Sequence, residues 1–182
     1  MAKTRNEKQN LLDTINHHDA AQILKILYAE DEKIAGRIER IAHKYLSEVD
    51  VDGIAEDVYT QLDDIEVEEL WDRSGPDREG YSEPGEMAYE MLGEIVELFL
   101  ADRKKYQRLA KYKEAKLYCI GILKGISRYE KESKSEFKGW AGDGVGECWE
   151  DALREWEKGS RNTQERQEMK EFIKKNFPDK RL

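Results

Sequence analysis

The hydrophobic positions recur at steps of three and four residues along most of the chain, which is the period of an α-helix. Runs of alternating β-branched residues, which are typical of strands, do not occur in the sequence. The pattern predicts an all-α fold of about seven or eight helices. Because the predicted helices are joined by short polar segments, we expect successive antiparallel hairpins in an α-solenoid-like array or an irregular bundle.

Each predicted helix is marked by an apolar stripe, and several stripes follow an acidic residue that can serve as an N-cap. The candidate caps are Asp19, Asp31, and either Asp50 or Asp52. The stripes are Ile23–Tyr28, Ile34–Tyr45, Ile54–Ile65, Met87–Phe99 with Leu98 facing inward, Leu109–Tyr129, Cys148–Trp156 and Met169–Ile173.

One segment, residues 115–126, is apolar on almost every face and is therefore the predicted central helix. It contains Gly121 and Gly125, which are separated by one helical turn. Each glycine inside a helix costs about 1 kcal/mol relative to alanine, so a packing reason is expected. Close approach of a neighbouring helix is the favoured explanation, and close approach of a ligand is the alternative.

The predicted domain organisation is simple. Residues 1–10 are polar and are expected to form a frayed N-terminus, residues 11–177 a single helical domain, and residues 178–182 a C-terminal tail. The loop at residues 73–85, rich in Gly, Pro, Ser and Asp, marks where the domain could be subdivided. A second glycine-rich break is expected at residues 133–146.

The charges of the chain are strongly segregated. Residues 48–100 carry 18 acidic and 2 basic groups, whereas residues 101–138 carry 12 basic and 5 acidic groups. One interpretation is that acidic and basic helices pack side by side and neutralise each other. The other is a bipolar surface that steers a charged partner. The sequence leaves both interpretations open.

Two short segments combine acidic residues with tryptophan and are the candidate interaction sites. The first carries Glu68, Glu69 and Trp71, and the second carries Trp140 and Asp143. Tryptophan is enriched at the centres of protein interfaces, because its large side chain can be desolvated against a partner. These five residues are therefore the candidate contacts with a protein partner.

Chemistry of other kinds finds little support in the sequence. Two isolated cysteines, Cys119 and Cys148, cannot supply a zinc pattern or a disulfide framework. The three histidines lie in the N-terminal quarter and lack metal-ligand spacing. We expect no cofactor, no metal and no catalytic residue, and the sequence disfavours an enzyme.

A spaced set of apolar and glycine residues in the central segment, followed by Asp143 and the Trp149/Leu153 helix, resembles the helical region that accompanies SWIM-type zinc fingers in some prokaryotic proteins. The set is Ala115, Tyr118, Gly121, Ile122, Leu123, Gly125, Ile126 and Tyr129. The resemblance would span about residues 10–158, and it implies a helical-repeat scaffold of unassigned activity. The zinc finger itself is absent, because two lone cysteines cannot supply its ligands.

These observations lead to a principal functional hypothesis and two alternatives. The principal hypothesis is a cytoplasmic protein-interaction or scaffold module without a membrane anchor; self-association is also open. The first alternative is a small enzyme or ligand-binding protein that uses carboxylates between helices. Two or more of Glu86, Glu90, Glu94 and Glu97 facing one pocket would favour it. The second is nucleic-acid binding through the basic segment 103–116, which the neighbouring acidic segment disfavours.

Overall fold

A computed structural model of the chain describes residues 13–76, 80–160 and 162–180. Within these ranges the fold is all-α, which confirms the predicted class, and it contains nine complete helices and one pair of two-residue antiparallel strands. The helices are α1 (His17–Glu30), α2 (Glu32–Tyr45), α3 (Val51–Asp63), α4 (Val67–Arg73), α5 (Pro84–Arg108), α6 (Tyr112–Glu132), α7 (Glu136–Ala141), α8 (Gly144–Gly159) and α9 (Thr163–Asn176). The strands are β1 (Gly75–Pro76) and β2 (Tyr81–Ser82). The segment 1–10, expected to be frayed, lies outside the described residues.

The chain divides into two compact units, Met1–Ser47 and Glu48–Leu182. The boundary between the units follows α2, and the loop at residues 73–85 lies within the second unit. Across that loop, Arg73 of α4 donates a hydrogen bond to Glu94 of α5 at 2.8 Å, and the two helices pack together. This contact keeps the two sides of the loop within one unit.

The described part of the first unit is a hairpin of α1 and α2. Asp31 caps α2, as predicted, by accepting hydrogen bonds from the backbone N–H groups of Lys33 and Ile34 at 2.7 and 3.2 Å. The prediction that Asp19 caps α1 was wrong. Asn16 is the cap, and its side chain accepts from the N–H of Asp19 at 3.0 Å. The side-chain oxygen of Asn16 thus satisfies one of the backbone N–H groups that the start of α1 leaves without an intrahelical acceptor.

The second unit is organised around α6. Ten residues of this helix are buried, and α3, α5, α8 and α9 all pack against it. A helix that is surrounded on several sides must be apolar on several faces, which is the pattern from which residues 115–126 were predicted to be central. The structure confirms that prediction.

The closest contact of α6 is with α3, and it depends on the two glycines. A Cβ atom added at Gly121 would lie 2.7 Å from Cγ2 of Ile54, and one added at Gly125 would lie 2.7 Å from the carbonyl oxygen of Ala55. Both distances are shorter than side-chain contacts normally are. The predicted close approach of a neighbouring helix is confirmed, with α3 as the neighbour.

Opposite charges line the edge of the same contact. Lys124 of α6 pairs with Asp52 of α3 at 2.5 Å, and Arg128 pairs with Glu56 one turn further along. The guanidinium carbon of Arg128 also lies 4.2 Å from the centre of the Tyr59 ring. Two of the four acidic residues of α3 are thus paired with basic residues of α6, which supports the first interpretation of the charge pattern for these two helices.

Three details of the predicted helices need correction. Leu98 was expected to face inward but is 61% exposed, because it lies two residues, or about 200° around the helix axis, from the buried Val96 and Leu100. Leu109 was assigned to a helix but lies exposed in the connection between α5 and α6. The glycine-rich break at residues 133–146 contains the short helix α7, which the buried Phe137 anchors.

Replacing Gly125 by alanine should lower the free energy of unfolding by about 1–3 kcal/mol, because the new methyl group overlaps α3. This loss should appear although alanine is favoured over glycine inside a helix by about 1 kcal/mol. Urea unfolding measures the change. The matched control is Gly93→Ala in α5, where a Cβ would meet no atom within 4 Å and stability should be unchanged or higher. A Gly125→Ala variant as stable as the Gly93→Ala variant would contradict the close approach.

Candidate interaction site

Two of the four tryptophans form an exposed pair on the second unit. Trp71 on α4 and Trp140 on α7 have ring centres 4.7 Å apart and planes at 78°, an edge-to-face contact. They are 45% and 40% exposed, whereas Trp149 and Trp156 are buried in the core. An exposed aromatic pair held in one geometry offers a large apolar area to a partner at a low cost in side-chain entropy.

Trp140 is positioned by the way α7 is attached to the end of α6. The Nζ atom of Lys138 donates hydrogen bonds to the carbonyl oxygens of Glu130 and Ser133, both at 2.8 Å. These carbonyls lie where an α-helix leaves its last acceptors without intrahelical partners. Lys138 therefore closes the end of α6, and together with the buried Phe137 it fixes the helix that presents Trp140.

Trp71 is positioned by its neighbours on α4. Leu70 is buried, and Arg73 pairs with both Glu69 and Glu94 at 2.8 Å. The ion pair of Arg73 with Glu94 joins α4 to α5. It thereby fixes α4, the helix from which the indole ring of Trp71 contacts Trp140 of α7. Because the ion pair between Arg73 and Glu94 is exposed, it contributes only about 0.2–1 kcal/mol to stability. The buried side chain of Leu70 is the stronger anchor of α4.

A groove of about 520 Å³ lies beside Trp140, between the first turns of α5 and α8. We call it the acidic groove. Four carboxylates and two aromatic rings line it, and none of its lining residues is basic; the side chains are Glu86, Tyr89, Glu90, Trp140, Asp143 and Glu147. Four negative charges beside an exposed aromatic ring favour a cationic group as the occupant.

The backbone between α7 and α8 creates the groove. Gly142 has a φ of +51°, a backbone conformation that residues other than glycine rarely adopt, and the chain turns sharply there before Asp143. Gly144 then allows α8 to begin against α5, since a Cβ there would lie 3.1 Å from Cδ2 of Tyr89. The carboxylate of Asp143 makes no capping hydrogen bond to α8 and is exposed in the groove.

Tyr89 lines the acidic groove and connects it to the middle of α8. Its hydroxyl donates a hydrogen bond to Oδ2 of Asp151 at 3.1 Å. Burial, followed by this hydrogen bond, raises the pKa of Tyr89 above its ordinary value. The phenol therefore stays neutral and keeps donating to Asp151, which leaves the ring face as the part available to the groove.

The four carboxylates of the groove are not neutralised within the described residues, where none of them forms a salt bridge. Glu86 and Glu147 stand in the first turns of α5 and α8, where the positive end of the helix dipole stabilises an acid. Glu90 is one turn further into α5, beyond the reach of that effect. The helix ends explain part of the acidic cluster but not all of it.

Three of the five sequence-predicted contacts come together here. Trp71, Trp140 and Asp143 are adjacent through the tryptophan pair and the groove, although they are up to 72 residues apart in the chain. Glu68 is exposed three residues before Trp71 on α4, which places it on a neighbouring part of the same helix surface. Glu69 is engaged by Arg73.

The sequence did not assign Glu86, Glu90 and Glu147 to the interaction site. The available signal was the four-residue spacing of Glu86 and Glu90 on one predicted helix, which puts both on one face. Glu147 follows the glycine-rich turn, but only the folded backbone shows that this turn lies against the start of α5. The groove therefore depends on a contact between helices about 55 residues apart, which no local pattern reveals.

The two cysteines are buried and free. Burial raises the pKa of the Cys119 thiol to about 12 and that of Cys148 to about 12 as well. Because the thiolate is the reactive form, neither cysteine is available as a nucleophile near neutral pH. Among the residues described, no group of three or more His, Cys, Asp or Glu side chains is arranged to hold a metal ion.

Five of the seven basic side chains in the segment 103–116 make contacts with other groups of the chain. Arg103 is buried and donates to the carbonyl oxygen of Glu155, and four lysines form ion pairs with nearby acids. The pairs are Lys104 with Glu97, Lys105 with Asp102, Lys111 with Glu114, and Lys116 with Glu168. Each internal pair reduces the positive potential that a nucleic-acid backbone would need.

Comparisons with protein-family models, with curated proteins and with solved structures find no match to this chain. The resemblance to the helical region of SWIM-type proteins therefore stays a prediction. In the described part of the chain, no helix combines the length and the apolar composition that crossing a membrane requires.

Both native thiols should resist Ellman's reagent near neutral pH and react fully once the protein is unfolded, because Cys119 and Cys148 are buried. Absorbance after mixing measures the reaction. The control is Leu98→Cys, which puts a thiol at an exposed position of α5 and should be labelled rapidly in the folded protein. Rapid labelling of the wild-type protein would show that the core around α6 and α8 is open.

Proposed function

We propose that this protein is a protein-interaction module that binds a basic segment of a partner protein in the acidic groove. The observation that carries the proposal is that carboxylates without a salt bridge in the described part of the chain lie on one surface with the exposed Trp71–Trp140 pair. Carboxylates favour arginine and lysine through charge-assisted hydrogen bonds, and an indole ring attracts the same cations through its face. The carboxylates and the indole rings therefore both favour a segment rich in arginine or lysine.

The charge of the groove is large enough to matter. Its four carboxylates carry four negative charges. The two helix N-termini beside them supply about half a positive charge each, so about three negative charges remain. A concave surface of one sign focuses the field and speeds the association of an oppositely charged segment. The tryptophan pair then supplies the apolar contact, since charge at an exposed site contributes little affinity by itself.

A small enzyme or ligand-binding protein is the second candidate, because Glu86 and Glu90 share one groove. Glu94 and Glu97 do not join them, since they pair with Arg73 and Lys104. Glu86 and Glu90 are both exposed, so the groove does not exclude water as an enzyme pocket does. The arrangement supports recognition of a cation better than it supports catalysis. Cytoplasmic localisation stays a prediction.

An arginine-rich peptide labelled with fluorescein should bind the wild-type protein, and Glu86→Gln/Glu90→Gln should weaken binding at least about tenfold, because half of the groove's charge is removed. Fluorescence anisotropy measures both affinities. The matched control is Glu150→Gln/Glu171→Gln, which removes the same charge at exposed positions that do not line the groove. Equal weakening in the two double variants would mean that only net charge attracts the peptide, and the proposal would fail.

The tryptophan pair allows an independent measurement. Binding of the same peptide should quench the intrinsic fluorescence, because two of the four tryptophans are exposed and lie at the proposed site. Trp71→Phe/Trp140→Phe should abolish the change and leave the signal of the two buried tryptophans. A change that survives in this variant would place the peptide elsewhere, near Trp149 or Trp156.

A further inference from the structure

The helical hairpin of the first unit leaves its apolar side chains exposed. No residue from 13 to 47 is buried. Eight large hydrophobic side chains on α1 and α2 are more than a third exposed, among them Ile41 at 59% and Tyr45 at 77%. The others are Ile23, Leu24, Ile26, Leu27, Tyr28 and Ile34. This is an apolar surface on a chain that is otherwise rich in charge, and such patches mark binding sites.

The two helices of the hairpin are short. They have 14 residues each, a length at which isolated helices are marginal in water. The contacts between them include one hydrogen bond, from the hydroxyl of Tyr28 to Glu39 at 2.5 Å. Helices of this length depend on packing an apolar face against other apolar surface.

We propose that the apolar face of this hairpin pairs with the same face of a second copy of the chain, in an antiparallel, two-fold arrangement that forms a four-helix bundle. The charges of the hairpin support this occupant. Its connecting turn is acidic, with Glu30, Asp31 and Glu32, while the second half of α2 carries Arg40 and Lys44 against the single acid Glu39. An antiparallel pairing brings the acidic turn of each copy to the basic end of the other.

Two further features favour a second copy. Residues 13–47 carry six acidic and five basic groups, so two hairpins meet with almost no net repulsion although the whole chain carries −9. A parallel pairing would place the acidic turns together and the basic ends together, and like charges destabilise such contacts. Two hairpins together also form a four-helix bundle, an architecture in which amphipathic helices bury their apolar stripes.

The first test is the oligomeric state of the full chain, measured by sedimentation equilibrium over a range of concentrations. We expect a dimer for the wild type and a monomer for Leu24→Lys/Ile41→Lys, which puts two charges on the apolar face. The control is Leu98→Lys, the same change at an exposed leucine of the second unit, which should remain dimeric. A monomeric wild type, or a dimer that persists in Leu24→Lys/Ile41→Lys, would overturn the proposal.

A charge-swap test does not depend on the apolar positions and so separates lost pairing from lost folding. Glu30→Lys/Glu32→Lys and Arg40→Glu/Lys44→Glu should each weaken self-association at least about tenfold. A chain that carries all four substitutions should dimerise like the wild type, because every cross-copy pair is restored with reversed sign. Circular dichroism confirms that each variant keeps its helices. Four substitutions that fail to restore the dimer, or single swaps without effect, would contradict the antiparallel arrangement.

Discussion

The close approach of α3 and α6 at Gly121 and Gly125 is the contact on which the second unit depends. Because neither glycine has a side chain, the backbones come near enough for Ile54 and Val58 to fill the space between the helices. The ion pairs of Lys124 and Arg128 then close the edge of the contact. With α6 fixed in this way, its last carbonyls receive Lys138, and α7 presents Trp140. The exposed tryptophan pair is therefore a consequence of packing in the core.

The segregation of charge along the chain serves two different purposes in the fold. Acidic residues of α3 pair with basic residues of α6, and lysines of the basic segment 103–116 pair with acids of α5, α6 and α9. These contacts neutralise charge inside the protein. The carboxylates at the starts of α5 and α8 have no such partners in the part of the chain described, and they coincide with the groove beside Trp140. The proposed binding of a basic partner segment rests on this second group.

Much of the fold follows from the sequence, because the helical period, the caps and the spacing of Gly121 and Gly125 are local patterns. The central position of α6 and the cap at Asp31 could be read in this way. The exposure of Leu98 could not be predicted, since the side of a long helix such as α5 that faces the core depends on which neighbours cover it. The site was predictable only in part. Trp71, Trp140 and Asp143 stand out by composition, but their meeting with Glu86, Glu90 and Glu147 requires the contact between α5 and α8.

The central claim is that the groove between α5, α7 and α8 captures a basic segment, and hydrogen–deuterium exchange with mass spectrometry tests it most directly. The exchange of backbone amides would be compared with and without an arginine-rich peptide. Slower exchange confined to residues 67–73, 84–92 and 136–148 is the predicted result, because these segments carry the tryptophan pair and the groove. Protection confined to other segments, such as α3 with its acidic stripe, or no protection at saturating peptide, would contradict the account.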